Sequence, residues 1–108
     1  MRRGDLIIAA ERGRLSGKPR PWLVVQSDAF NDTHASVSVC MVSSTAAHQP
    51  LFRIPLVPDP ANGLQETSFV MADVMLTIAR ESIDRTIGRV DQGTMIAVDE
   101  ALRRWLDL

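Results

Sequence analysis

An arginine held between two prolines is the residue of this sequence best suited to phosphate chemistry. Pro19 and Pro21 flank Arg20, Lys18 stands just before them, and the apolar run Trp22–Gln26 follows directly. Each proline fixes its own φ and disfavours helical backbone at the residue before it, so Lys18 and Arg20 are expected to be extended. A guanidinium on such a restrained backbone can hold its planar fork toward one target, as phosphate binding or transition-state stabilisation requires. A solvated charge beside a strand is the competing interpretation.

The charges are unevenly distributed along the chain, although the net charge is only −1. Residues 1–20 carry six cationic side chains against two carboxylates, whereas the other 88 residues carry six arginines against eleven carboxylates. The acidic remainder argues against a protein that coats nucleic acid generally. A basic N-terminal face instead predicts a local site for a polyanion, and the acidic body could face a cationic partner.

Length and composition predict one soluble domain without disulfides. The 108 residues suffice for a single core, and the lone cysteine, Cys40, excludes an intrachain disulfide and a cysteine-based metal cluster. Cys40 lies in the apolar run Val37–Val42, so we interpret it as a packed side chain rather than a nucleophile. The first apolar run, Leu6–Ala10, is too short for a signal peptide or a membrane span, which predicts a cytoplasmic protein. No spacing typical of metal ligands and no glycine-rich phosphate loop is present, so no cofactor is expected.

Apolar runs separated by turn residues predict several short strands. We expect strands over residues 6–10, 22–26, 37–42, 52–57 and 68–72, the last running into residues 73–78, and a turn followed by a short strand within residues 84–90. The unbroken apolar character of residues 22–26 indicates a central strand, and Pro55 places the fourth strand at an edge or a bulge. Between the second and third strands, Ser27 is expected to cap a helical turn that directs Phe30 into the core.

The C-terminus has the clearest helical pattern. Asp91 is a candidate N-cap, and the apolar residues after it recur at helical spacing: Met95, Val98, Leu102 and Trp105, with Ile96, Ala101 and Leu106 widening the stripe. Asp99 and Glu100 precede Arg103 and Arg104 by four residues, which favours ion pairs along the helix. The chain is therefore predicted to be a small β-rich α+β domain: a curled sheet or barrel with a C-terminal amphipathic helix.

In order and spacing, the motifs together resemble the MazF/PemK/Kid family of toxin-antitoxin endoribonucleases, along essentially the whole chain. The matching segments are Arg3–Asp5, Gly17, Arg20–Pro21, Leu23–Gln26, Ser43–Ser44, Asn62–Leu64, Ser68, Asp73, Thr77, Ile87–Arg89 and Met95–Leu102. Two positions depart from the family pattern. Ser43 stands where the family usually has threonine, which keeps the hydroxyl but loses the β-branch that restricts χ1. Leu76 stands where many members have an arginine, just before the threonine that Thr77 matches.

The resemblance implies a CcdB/PemK-type, SH3-like barrel and metal-independent cleavage of single-stranded RNA. In that reaction the 2′-hydroxyl attacks the adjacent phosphate and leaves a 2′,3′-cyclic phosphate and a 5′-hydroxyl. Arg20 matches the family's catalytic arginine, and because a guanidinium stays protonated we expect it to stabilise the phosphorane rather than to act as a base. Ser43 matches the second catalytic position and would donate a hydrogen bond to a non-bridging oxygen. His48 is a possible proton-transfer group, although an exposed loop histidine is the simpler interpretation.

RNA binding and partners also follow from the resemblance. Arg12, Arg14 and Lys18, in the basic loop before the second strand, are expected to meet phosphates, and Ser44 and Thr77 to line the RNA groove. Stacking of bases cannot be assigned, because most of the few aromatic residues fall on core positions. The resemblance implies a homodimer inhibited by a cognate antitoxin, and the basic N-terminal region suits an acidic antitoxin segment that folds on binding.

Two other functions remain open from the sequence. CcdB-like toxins are structurally similar to this family, poison DNA gyrase, and act through a tryptophan near the C-terminus, where this chain has Trp105. The second alternative is a non-catalytic RNA-binding or scaffolding barrel, which the changes at Ser43 and Leu76 favour. The segment Gly17–Gln26 and the Ser43 hydroxyl favour RNA cleavage over both.

Overall fold

A curled antiparallel sheet and one long helix make up the fold of the computed structural model, which describes residues 1–11, 17–45 and 50–108. The strands are β1 (Asp5–Ala10), β2 (Pro19–Val24), β3 (Ser36–Ser43), β4 (Arg53–Leu56), β5 (Ser68–Ala79) and β6 (Ile83–Arg89). The helices are α1 (Asp28–Asn31) and α2 (Gln92–Leu106), and a 3-10 turn, Arg80–Ser82, joins β5 to β6. The strand order is β4-β5-β3-β2-β1-β6. The predicted β-rich α+β class is confirmed.

Both faces of the central strands are buried, which explains their unbroken apolar sequence. Leu6 and Leu23 lie in the cluster that includes residues of α2, whereas Ile7 and Trp22 lie in a second cluster on the opposite face. Because successive strand residues point to opposite faces, every position of such a strand must be apolar. β2 is accordingly an interior strand, between β1 and β3.

Strands β4 and β5 each depart from a regular antiparallel ladder. Pro55 lies in β4, which forms one edge of the sheet, so its missing N–H costs no interior hydrogen bond and the edge prediction is confirmed. The predicted fifth strand and the segment after it form one strand, β5. Its register against β3 shifts between Cys40 and Met41, which are opposite Met75 and Met71. This bulge lets β5 turn as the sheet curls.

Helix α2 begins as predicted, but its two expected ion pairs, Asp99–Arg103 and Glu100–Arg104, are not among the salt bridges of the described residues. Asp91 accepts a hydrogen bond from Thr94 N–H at 2.7 Å, and this bond lowers the pKa of Asp91. Asp99 pairs with Arg3 across the fold, at 2.6 Å, instead of with Arg103 one turn along the helix. The helix packs on the sheet through Val98, Ala101 and Leu102. None of the helices in the described ranges is long and apolar enough to cross a lipid bilayer.

Charged residues at the start of β1, the end of β6 and on α2 form what we call the N-terminal polar network: Arg3, Asp5, Arg89 and Asp99. Arg3 donates from Nη2 to Asp99 and from Nε to the Val25 carbonyl, at 2.6 and 2.8 Å. Arg89 donates from Nη1 to Asp5 at 2.7 Å and from Nη2 to the Arg3 carbonyl at 3.1 Å. These bonds tie the N-terminus to the last strand and to α2, so this part of the family motif is structural here.

Two local predictions are wrong. Phe30 is 51% exposed and does not reach the core, and the side chain buried there is Asn31. The Asn31 amide donates to the Gln26 carbonyl at 3.1 Å and to Asp28 at 2.9 Å, so it is buried with its hydrogen bonds satisfied. The second strand does not begin at residue 22 as predicted, because Pro19 already pairs with Ala10 of β1 and the strand spans Pro19–Val24. Arg20 therefore projects from a strand.

Candidate active site

The sheet register brings Arg20 and Ser43 together. Trp22 of β2 pairs with Met41 of β3. The β2–β3 ladder ends at this pair, and Arg20 and Ser43 lie two residues beyond it on their own strands. Both side chains line the same cleft, where they can face a common ligand. The two residues that the resemblance singled out thus come from separate strands to one place.

Arg20 and Ser43 line an open cleft of about 410 Å³. The polar side chains of the cleft are Arg20, Ser43, Ser44, Gln65, Glu66, Ser68 and Arg85. The floor of the cleft is formed by residues paired across three neighbouring strands: Ile8 of β1 pairs with Pro21 of β2 and with Arg85 of β6. Apolar floor and polar rim together make a site that can hold a ligand with both bases and phosphates.

Arg20 has hydrogen-bonding capacity that the described part of the protein leaves unused. Its Nε is buried, and no acceptor lies within hydrogen-bond distance of it. A buried donor without a partner costs about 1–3 kcal/mol. Arg85, on the opposite wall of the cleft, is paired only with its neighbour Asp84, at 2.5 Å, and both side chains are more than half exposed. Such an exposed pair is weak, so both arginines are available to an anion.

The Ser43 hydroxyl is oriented by the turn that follows it. Its Oγ accepts a hydrogen bond from Thr45 N–H at 3.1 Å and lies 3.1 Å from Thr45 Oγ1. Because the backbone N–H occupies a lone pair of Oγ, the hydroxyl can donate its proton either to Thr45 Oγ1 or to an oxygen of a bound ligand. Ser43 can therefore give that proton to a non-bridging phosphate oxygen, which is the role that the resemblance implies.

A tightly packed loop carries the remaining wall of the cleft. The Asn62 side chain, 3% exposed, accepts hydrogen bonds from the N–H groups of Asp59 and Leu64 and donates to the Val57 carbonyl, at 2.9–3.1 Å. Gly63 has a φ of +69°, and a Cβ there would lie 2.2 Å from the Ile87 carbonyl oxygen. The family-like Asn-Gly sequence thus seats this loop against β6 and fixes the residues that follow it, Leu64–Glu66.

Glu66, Gln65 and Arg85 were not among the predicted site residues. The structure places all three on the cleft. Glu66 and Gln65 follow a turn signal and read as ordinary loop residues, while Arg85 reads as the polar position of an alternating strand. Their sequence distance from Arg20 hides the contact, and only the pairing of β6 and β5 with the central strands reveals it.

The other predicted residues divide between those near the cleft and those elsewhere. Ser44 lines the cleft, and Lys18 is exposed immediately before β2. Thr77 is exposed on β5 opposite Ser38, five residues from Ser43 along β3, or roughly 16 Å. The structure therefore does not bring Thr77 to this cleft. Arg12, Arg14 and His48 lie outside the described residues.

The lone cysteine takes no part in the site. Cys40 is fully buried in β3, and desolvation raises the pKa of its thiol to about 12. It remains a neutral packed side chain, as predicted. Within the ranges that the structure describes, no group of three or more histidine, cysteine, aspartate or glutamate side chains is arranged to hold a metal ion.

Comparison with known proteins decides the family. The profile of the PemK-like, MazF-like toxins of type II toxin-antitoxin systems matches residues 2–106. This chain belongs to that family. It is 42% identical over 108 residues to a probable endoribonuclease MazF of Mycolicibacterium smegmatis, covering 100% of this chain and 98% of the relative. It is 33% identical over 116 residues to endoribonuclease MazF9 of Mycobacterium tuberculosis, covering 100% and 98%.

Solved structures agree with this membership of the PemK/MazF family. The toxin MazF-mt6 of Mycobacterium tuberculosis superimposes with a TM-score of 0.81 at 26% identity, covering 96% of this chain and 97% of that one. A mycobacterial endoribonuclease in complex with its cognate antitoxin superimposes with a TM-score of 0.80 at 26% identity, covering 100% and 96%. The fold of the family thus extends over the described sheet and α2.

Proposed function

We propose that this protein is the toxin of a type II toxin-antitoxin system and cleaves single-stranded RNA in the cleft between Arg20 and Ser43. The cleavage is metal-independent. The 2′-oxygen forms a bond to phosphorus, the bond from phosphorus to the 5′-oxygen breaks, and the products carry a 2′,3′-cyclic phosphate and a 5′-hydroxyl. Cutting messenger RNA in this way stops translation and growth.

The observation that carries this proposal is that a guanidinium with an unsatisfied donor and a hydroxyl able to donate line the same cleft. Among the described residues Arg20 Nε has no acceptor, while Ser43 Oγ accepts from Thr45 N–H and lies 3.1 Å from Thr45 Oγ1. A phosphorane adds negative charge to its non-bridging and leaving oxygens. Arg20 would bind that charge and the leaving oxygen, and Ser43 would donate to a non-bridging oxygen.

The relatives support the same reaction class, since two family members that align with the whole chain are named endoribonucleases. A structural neighbour is described in complex with its cognate antitoxin. For this chain we propose an acidic antitoxin, a homodimer and action in the cytoplasm. The whole chain would act as one domain. The basic residues Arg12, Arg14 and Lys18 would contribute phosphate contacts, and each contact should add about 0.7 to the slope of log affinity against log salt.

The proposal is tested by incubating the purified protein with a long single-stranded RNA in excess EDTA and mapping the new ends by primer extension. We expect discrete cuts with cyclic-phosphate and 5′-hydroxyl ends. Ser43→Ala should slow cutting about 10²–10³-fold, the usual cost of one preorganised donor. Ser82→Ala removes an exposed hydroxyl from the 3-10 turn, away from the cleft, and should cut at the wild-type rate.

Other outcomes would overturn the proposal. Intact RNA together with stalled gyrase–DNA complexes would favour a gyrase poison, for which the half-exposed Trp105 is the candidate contact. Intact RNA that remains bound would favour a non-catalytic RNA-binding barrel. Cutting that requires a divalent cation would retain the nuclease but exclude the metal-independent reaction.

A further inference from the structure

The cleft contains a carboxylate, which is unexpected in a site for a polyanion. Glu66 lies on the loop before β5 and lines the same cleft as Arg20 and Ser43. A negative charge there opposes RNA binding, so its presence needs a chemical reason. The other cleft residues within the described ranges carry apolar, hydroxyl, amide or guanidinium groups, and none of these is a carboxylate or an imidazole. Glu66 is therefore the described cleft residue whose side chain is a Brønsted base.

The position of Glu66 is fixed by contacts on both sides of it. Before it, Leu64 N–H donates to the buried Asn62 side chain at 3.0 Å. After it, the hydroxyl of buried Ser68 donates to the Glu66 carbonyl at 3.0 Å. The backbone is therefore held at two points while the carboxylate stays exposed. The ion pairs found in the described part of the chain do not include Glu66, so none of the arginines described there is paired with it.

The strand order sets Glu66 and Arg20 on opposite sides of Ser43. Phe69 of β5 pairs with Ser43 of β3, and Glu66 lies three residues before Phe69, within roughly 10 Å of chain. Arg20 reaches Ser43 from β2, the neighbour of β3 on its other side. In-line displacement at phosphorus needs the attacking and leaving oxygens on opposite sides of the phosphorus. A phosphate held at Ser43 would have a carboxylate on one side and a guanidinium on the other.

We propose that Glu66 is the general base of the RNA cleavage reaction. Its carboxylate takes the proton of the 2′-hydroxyl as the 2′-oxygen bonds to phosphorus. The 5′-oxygen departs on the Arg20 side and takes a proton from water, and the glutamic acid then returns its proton to water. This inference rests on the proposed function, because it supplies the proton acceptor that the reaction requires.

The test compares Glu66→Gln with Glu81→Gln, which makes the same change at an exposed residue of the 3-10 turn. Single-turnover kcat/KM is measured across pH on a synthetic RNA that contains one mapped cut site. Glu66→Gln should lose about 10²-fold or more at neutral pH, the usual range for a general base. The Glu66→Gln variant should also lack the decrease in cleavage rate at acid pH that we expect for the wild-type protein. Glu81→Gln should reproduce the wild type, and Glu66→Asp should recover part of the rate.

Three results would overturn the inference. If Glu66→Gln keeps the wild-type rate while Ser43→Ala is slow, the cleft is correct but the base is not Glu66. If Glu66→Gln keeps the decrease in rate at acid pH and cuts at different sequences, Glu66 is a residue that reads RNA bases. Loss of that decrease in His48→Gln but not in Glu66→Gln would assign the proton transfer to the histidine. A wild-type rate for Ser43→Ala would overturn the proposed function itself.

Discussion

Two groups of arginines flank the central strands, and they differ in how fully their hydrogen bonds are satisfied. In the N-terminal polar network, Arg3 and Arg89 each bond a carboxylate and a backbone carbonyl. In the cleft, no acceptor of the described residues lies within reach of Arg20 Nε, and Arg85 is paired there with exposed Asp84. Arg3, Arg89 and Arg20 all lie in family-like motifs. The satisfied group holds the fold together, whereas we propose that the unsatisfied group binds a ligand that supplies the missing acceptors.

This contrast teaches that a family motif does not by itself mark chemistry. The motif Arg3–Asp5 and the motif Arg20–Pro21 look equally functional in the sequence. A buried donor without a partner costs stability, and the described residues contain two such donors, Arg20 Nε and Arg53 Nε. The guanidinium of Arg53 is paired with Asp73 outside the cleft, whereas that of Arg20 lines the cleft. The contrast predicts that variants in the cleft lose activity and keep stability, while variants in the network lose stability and keep activity.

The largest effect should follow from Arg20→Gln. This change removes the charge and the fork that would stabilise the phosphorane, so we expect cleavage to fall about 10³-fold or more. The urea unfolding midpoint should stay at the wild-type value or rise, because no described contact is lost. Single-turnover cleavage and urea titration measure the two quantities. A lowered midpoint with a near-normal cleavage rate would show Arg20 to be structural.

Ser43→Ala should have the second-largest effect on the cleavage rate, because removing one hydrogen-bond donor to the phosphorane slows cleavage about 10²–10³-fold. The matched variant Ser43→Thr keeps the hydroxyl and restricts χ1, so its rate should equal or exceed that of the wild type. Both rates are measured by single-turnover cleavage. A slow Ser43→Thr variant with a normal fold would mean that the hydroxyl does not act as the structure implies.

Asp5→Asn should lower stability and leave the cleavage rate unchanged, which is the reverse of the effect expected for the cleft variants. It weakens the charge-assisted bond from Arg89, and since Arg89 is half exposed we expect a loss of about 1.5 kcal/mol in the free energy of unfolding. The cleavage rate per folded molecule should not change. Urea unfolding and cleavage at a temperature where the variant is fully folded test this. A cleavage defect without destabilisation would erase the distinction between network and cleft.

Thr45→Val should have the smallest effect. It removes the hydroxyl that lies 3.1 Å from Ser43 Oγ but keeps the backbone N–H that Ser43 uses. Loss of one neutral hydrogen bond of about 1 kcal/mol corresponds to a roughly fivefold slower reaction. In a Ser43→Ala background the same change should have no further effect, because Thr45 acts through Ser43. Additive losses in the double variant would show an independent role.

The sequence predicted the local features of the fold well. Asp91 as a cap, Pro55 at an edge and Cys40 in the core follow from short-range rules, and the structure confirms all three. Phe30 and Asp99 were predicted wrongly because their surroundings depend on distant residues. Burial of Asn31 rather than Phe30 depends on satisfied amide hydrogen bonds, which hydrophobicity does not reveal. Asp99 forms its ion pair with Arg3, near the N-terminus, rather than with Arg103 of its own helix.

The candidate site was only partly predictable for the same reason. Arg20 and Ser43 were identified through the resemblance to the family, and the register of β2 and β3 then explains why they meet. Glu66 and Arg85 reach the cleft through β5 and β6, far along the chain, so no local pattern distinguishes them from ordinary polar residues. The placement of these two residues on the cleft depends on which strands pair across the sheet, and that order is known only from the structure.

The most direct test of the account is the hydrogen-bonding state of the two kinds of arginine when RNA binds. The Nε–H resonances of Arg20 and Arg3 can be followed by NMR while the protein is saturated with an RNA whose 2′-hydroxyl at the cut site is replaced by hydrogen. The account predicts that the Arg20 signal shifts and becomes protected from exchange, while that of Arg3, already bonded to Val25, stays in place. An unchanged Arg20 signal in the saturated complex would contradict it.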